Sequence, residues 1–167
     1  MATVEDFDQV IDQYHRAANE FAKGNPEPVQ KMFSHREDVT LNNPFSPPAR
    51  GWEQVARTQE RAAANFRELG RHGEVDIETI AKCVTAELAY IVEVELYQAG
   101  VAQSEDIAAF GLRAASVFRP EEGTWKVVHR HAHPITIPQP AESVIKSSST
   151  LSEPPPQFSI RLLTGSL

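Results

Sequence analysis

Three histidines at alternate positions, His129, His131 and His133, stand on the last long apolar run of the chain. Alternate residues of a strand point the same way, so with Trp125 and Val127 they read as one face, and paired imidazoles on a strand are a known source of zinc ligands. A third ligand is not evident, since Cys83, the single cysteine, is not obviously near. The ladder therefore reads as packed or interfacial, and no metal is expected. Lys126, Val128, Arg130 and Ala132 form the opposite face. Arg130 suits a carboxylate clamp, because a guanidinium offers two parallel donors; a surface salt bridge is the equal alternative. Glu93 and Glu95 share a strand face with Ile91 and Tyr97, opposite Leu88, Tyr90, Val92, Val94 and Leu96. In apolar surroundings a carboxylate's pKa rises toward that of a useful general base; otherwise the two glutamates mark a solvated face. No serine or cysteine has an activating context, so nucleophilic catalysis finds no support.

The elements that must position these groups follow from periodicity. Val4, Phe7, Val10, Ile11, Tyr14, Ala18 and Phe21 recur at steps of three and four, which predicts a helix capped by Thr3 and closed near Gly24. Asn25 and Pro26 open a short second helix, with Asn25 as its cap and Pro26 at its first position. A short strand from Asp38 to Asn43 ends at Pro44, and the proline-rich run from Pro44 to Gly51 is expected to hold no regular structure. Trp52, Val55, Gln59, Ala62, Ala63, Phe66 and Leu69 mark a third helix, closed by Gly70. Trp52 at its start would either lid a pocket or anchor the core. Strands at 75–84 and 88–98 lead into a hairpin whose arms join at Glu121-Glu122-Gly123-Thr124. Helices first and an antiparallel meander afterwards make an α+β arrangement.

The 167 residues suit one domain, and a net charge of −7 with no basic cluster argues against nucleic acid or an anionic membrane as partner. One cysteine permits no internal disulfide, and the acidic opening Val4-Glu5-Asp6-Phe7-Asp8 is unlike a signal peptide. No apolar segment is long enough to span a bilayer, so a cytoplasmic location is expected. From Pro134 the composition turns to proline and serine, which divides the chain into a domain at 1–137 and an extended, weakly folded tail at 138–167. The apolar stretch Gln157 to Leu163 could dock on a neighbouring subunit, although termini are more often loose.

The order of elements, together with Asp38-Val39-Thr40-Leu41-Asn42-Asn43-Pro44, Arg50-Gly51-Trp52 and Trp125-Lys126-Val127-Val128-His129-Arg130-His131, resembles the SnoaL-like branch of the nuclear transport factor 2-like superfamily over residues 3 to 135. The resemblance implies a cystatin-like cone: a strongly curved, mainly antiparallel sheet wrapped around N-terminal helices, with a pocket at its open end. The superfamily includes ketosteroid isomerases, polyketide cyclases, dehydratases, epoxide hydrolases and non-catalytic association domains, so the fold alone names no reaction. The isomerase branch uses a general-base Asp and an oxyanion hole of one Tyr and one protonated Asp. By this resemblance Tyr14 takes the Tyr position, Asn43 replaces the base and Ser116 replaces the second Asp. Classical steroid isomerisation is therefore not expected, with Glu93 the candidate substitute base. Tyr14, Asn43 and Ser116 could still hydrogen-bond a carbonyl.

The isomerase register also points Ile91, Glu93, Glu95, Arg130 and Ala132 into the cone, leaving the histidine face outside, where many relatives dimerise. Burial preference pulls the other way, because Trp125 and Val127 look more deeply buried than Lys126 and Arg130; in that register His131 would face the ligand. Tyr14 and Glu93 are thus the catalytic candidates, with Asn43, Trp52, Glu95, Ser116, Arg130 and His131 as binding candidates. The expected protein binds a small molecule and forms a homodimer through the outer sheet face. If catalytic, it is a cofactor-independent isomerase, lyase or hydrolase acting on a carbonyl-containing or anionic substrate. The alternative is a non-catalytic association module.

Overall fold

The structure is a computed structural model and describes residues 4–44, 46–69, 73–100 and 107–135. The described residues fall in one unit, Met1–Ile135. Thr3, Gly70, the tail at 138–167 and its apolar stretch lie outside them. Helix α1 spans Val4–Ala22, and its apolar stripe is buried at Phe7, Ile11, Tyr14 and Ala18. Helix α2 covers Glu27–Met32. Pro26 stands at its N-cap, one position earlier than expected, while Asn25 Oδ1 accepts the Glu27 N–H at 3.3 Å. Strand β1 is Thr40–Asn42, β2 is Ala49–Arg50 and α3 is Trp52–Leu69. The run expected to be irregular thus ends in two paired residues, Arg50 opposite Thr40 and Ala49 opposite Leu41. The prolines stop at Pro48, so the next two residues keep their N–H groups; Gly51, at φ +81°, then turns the chain into α3.

Strands β3 (Glu74–Val84), β4 (Ala89–Gly100), β5 (Ile107–Glu121) and β6 (Thr124–Pro134) form an antiparallel meander, and β1 joins the far side of β6 in parallel. The sheet order is β2-β1-β6-β5-β4-β3. Glu122 and Gly123, at φ 50° and 84°, close the β5–β6 hairpin as a two-residue turn whose hand matches strand twist. Together these elements form the curved, unclosed sheet over N-terminal helices that the cone fold requires. Among the described residues no helix is long and apolar enough to cross a membrane.

The last strand departs from simple alternation. Phe118 pairs with Val127 but Val117 pairs with His129, so Val128 is an inserted residue. An extra residue in a period of two reverses the parity of everything beyond it. Trp125 and Val127 are buried before the bulge, Ala132 is buried after it, and His131 and His133 are exposed. Both sequence arguments about this strand therefore hold, each for its own half. The single face running from Trp125 to His133 does not exist.

Candidate functional site

Past the bulge, Arg130 turns inward over β5, where Ala114 and Ser116 are the small buried side chains that let it reach β4. Its Nη1 donates to Glu95 Oε1 and its Nη2 to Glu95 Oε2, each at 2.8 Å, in the two-pronged geometry that a guanidinium fits best. The Tyr97 hydroxyl donates to Glu95 Oε2 at 3.0 Å. Arg130 Nη1 also donates to the Tyr14 hydroxyl at 3.4 Å, and Tyr14 lies 3.3 Å from Ser116 Oγ. The pair is almost dry, with the Arg130 side chain 11% and the Glu95 side chain 2% exposed.

Burial alone would push the Glu95 carboxyl up, but the Arg130 charge and the hydrogen bonds from Arg130 and Tyr97 outweigh it and hold the group below the usual glutamate value. Burial would likewise discharge Arg130, and the Glu95 carboxylate overrides it, so the guanidinium is held charged. Burial raises both tyrosines; Arg130 opposes the rise at Tyr14, whereas Glu95 adds to it at Tyr97. Both are therefore neutral donors near neutral pH.

This network forms one wall of a cavity of about 730 Å³. Tyr14, Ala18 and Phe21 of α1 line it, with Gln59, Ala62 and Phe66 of α3 opposite the sheet residues Glu95, Tyr97, Phe110, Leu112 and Arg130. The rings of Tyr97 and Phe110 stack at 5.0 Å and 5°, and Phe66 stacks on Tyr97 at 5.4 Å. Asn43, Pro44, Ser46 and Pro47 border it from the proline-rich segment, and the exposed Pro47, Arg61 and Asn65 mark its opening. Its size and mainly apolar lining are those of a small-molecule site.

Four of the residues expected to act there do not line it. Glu93 is buried, but its Oε1 meets His15 Nε2 at 2.5 Å and the Thr79 hydroxyl at 3.3 Å under α1. Its partner is thus His15 and not Arg130, and a base acting on a molecule in the cavity cannot be Glu93 as placed. Trp52 packs against the core and stacks on His35 at 3.7 Å, which makes it an anchor and not a lid. Ser116 lies beneath Tyr14 and supports its hydroxyl. His131 is exposed and accepts from Asn42 Nδ2 at 3.3 Å, while His129 Nδ1 and Thr40 Oγ1 lie 2.7 Å apart. Strand β1 therefore engages two rungs of the histidine ladder. No group of three His, Cys, Asp or Glu that could hold a metal occurs among the described residues.

Sequence reasoning passed over Tyr97, His15 and Arg61. Tyr97 was legible in principle, standing two residues from Glu95 on the same strand face. Nothing local brings His15 to Glu93, 78 positions away.

The SnoaL-like domain model matches residues 8–137. No curated protein matches the chain. Among solved structures it is similar to a candidate dehydratase of the nuclear transport factor 2-like family from Streptomyces avermitilis, at TM-score 0.62 and 19% identity, over 80% of this chain and 96% of that one. A candidate calcium/calmodulin-dependent protein kinase type II association domain from Thiobacillus denitrificans superposes at TM-score 0.60 and 18% identity, over 77% and 94%. A ketosteroid isomerase-like protein from Erwinia carotovora atroseptica gives 0.58 and 17%, over 78% and 94%. At such identities these structures share the fold and carry no activity across. With its helices, its bulged meander and the matched residues in agreement, the chain belongs to the SnoaL-like domain family.

Proposed function

We propose that the cavity binds a small, largely apolar molecule through a neutral carbonyl oxygen that accepts hydrogen bonds from Tyr14 and Arg130. The observation that carries this is the Arg130–Glu95 pair meeting Tyr14 in the wall of a cavity of about 730 Å³. Glu95 already compensates the guanidinium, so a ligand carboxylate at that wall would be a buried, uncompensated charge. A neutral oxygen is the better guest. The Tyr14 hydroxyl makes only long contacts, 3.3 and 3.4 Å, and its proton can turn to a stronger acceptor. Asn43, at the border of the cavity, is available to a second polar group of the ligand.

Two donors on a carbonyl stabilise an enol-like state, so the turnover this site supports is a cofactor-independent isomerisation or elimination. Glu95 is the carboxylate that lines the cavity, but its lone pairs are engaged by Arg130 and Tyr97, which makes it a weak base. Polarisation of the carbonyl is the larger contribution. Benzophenone and diphenylmethane, alike in shape apart from the oxygen, test the reading by thermal shift. Benzophenone should raise the Tm, diphenylmethane should do so much less, and Tyr14→Phe should weaken the ketone by roughly two- to tenfold, the worth of one neutral hydrogen bond. Equal binding of ketone and hydrocarbon, or no binding of either, would sink it.

A second role as an assembly surface is favoured by the outer face, where Leu88, Tyr90 and Leu96 are each 44% exposed or more. A homodimer through this face is the corresponding expectation, and a monomer in sedimentation at micromolar concentration would count against it.

A further inference from the structure

We infer that the ligand carries an anionic group at the end opposite its carbonyl, and that Arg61 receives this group at the mouth of the cavity. The inference rests on the carbonyl-binding reading above and extends it to the rest of the molecule bound. Three charged side chains line the cavity: Glu95, Arg130 and Arg61. The first two cancel in the inner wall, so the charge a guest meets is that of Arg61.

Arg61 lies on α3 and is exposed. Its guanidinium has no ion-pair or hydrogen-bond partner among the described residues, whereas Arg57, one turn earlier on the helix, is paired with Glu53. The chain carries 23 acidic against 16 basic residues, so an unpaired cation at the opening is not the overflow of a basic surface. Asn65, four positions on and so on the same helical face, borders the opening beside it and adds an amide donor. The rest of the lining is mainly apolar, Ala62, Phe66, Phe110 and Leu112 among it. The cavity thus combines charge-compensated hydrogen-bond donors in its wall, a mainly apolar lining and a cation at the edge. An amphipathic anion enters such a site in one orientation, because its charged end can stay hydrated at the rim while its neutral oxygen goes in.

Benzoylalkanoic acids of graded chain length and their methyl esters test this, by calorimetry at low and high salt, on the wild type, Arg61→Gln, Arg61→Glu and Tyr14→Phe. At one chain length the acid should bind about two- to fivefold more tightly than its ester, the range of an exposed ion pair, and salt should erase the difference. Arg61→Gln should abolish the preference and Arg61→Glu reverse it, with ester affinity unchanged in both. Tyr14→Phe should weaken acid and ester alike. Acids and esters that bind with a preference indifferent to Arg61 would overturn this inference and leave the carbonyl site standing. Failure of every acid and ester to bind would overturn both.

Discussion

Phe7, Phe118, Trp125 and Val127 fill one end of the sheet's concave side, while Ala18, Ala22, Ala114 and Ala132 stand among the buried residues of the other. In the first cluster aromatic edges meet aromatic faces: Phe7 lies 5.2 Å from Phe118 and 5.1 Å from Trp125, both edge-on, and Tyr14 joins at 5.5 Å from Phe118. In the second, the aromatic rings lie nearly parallel along the cavity wall. The same helix and the same strands supply both clusters. Around Phe7 and Phe118 the large side chains interlock, while the cavity is bordered by Ala18 and the stacked rings of the second cluster together with Tyr14 of the first.

Deleting Val128 should have the largest effect, because it restores strict alternation in β6 and forces either Trp125 and Val127 or Arg130 and Ala132 to the wrong face. Loss of the cooperative urea transition is expected. Phe118→Ala comes next: a fully buried ring that meets Phe7 and Tyr14 should cost about 3–5 kcal/mol by chemical denaturation. A cost under about 1 kcal/mol would mean that the filled end is no tighter than the open one.

Glu95→Gln should follow, with a loss of about 3 kcal/mol or more, since it strands the Arg130 charge in a dry site. The double variant Glu95→Leu with Arg130→Met should recover most of that loss while abolishing ketone binding, which separates the stability of the pair from its use. The pair also sets a pH response. Glu95 sits below its ordinary value when folded, so the unfolded chain binds the proton more readily; stability from this group is full above about pH 4.5 and falls as the pH drops through the folded pKa. Urea titrations across pH 3 to 6 should find this acid-side loss in the wild type and find it reduced in the double variant.

Ala18→Leu should change stability least, within about 1 kcal/mol, because the added methyl groups enter open space instead of a packed core. Ketone binding should nevertheless disappear. A retained affinity would place the ligand elsewhere.

Much of the architecture was legible because its signals are local. The stripe from Phe7 to Ala18 and the hairpin turn at Glu122-Gly123 follow from the spacing of side chains and the conformational needs of a tight turn. Tyr14 stood on the helix stripe and matched the family's Tyr, and Glu95 was turned inward by the resemblance, since spacing alone left its face open between pocket and solvent. Glu93 was misjudged for its role because its face was right but its neighbour was not: facing inward placed it under α1, and whether it met His15 or the cavity depended on how the helix lies across the sheet. Trp52 was similarly ambiguous, since an aromatic ring at a helix start serves a core or a lid equally well until its partner, here His35, is in place.

By itself the sequence determined the elements and their order, since these depend on periodicities of two or about four residues that the chain carries within itself, while its motifs carried the resemblance to the family and, through it, the inward face of β4. Only the tertiary structure decided the position of the bulge at Val128, because an inserted residue is defined by the partner strand that fails to match it. It also decided that Arg130 reaches Glu95, a contact across 35 positions that needs β5 to carry small side chains in between. Charge compensation, and with it the kind of ligand the wall can accept, depends on such distances, and a linear order of residues does not contain them.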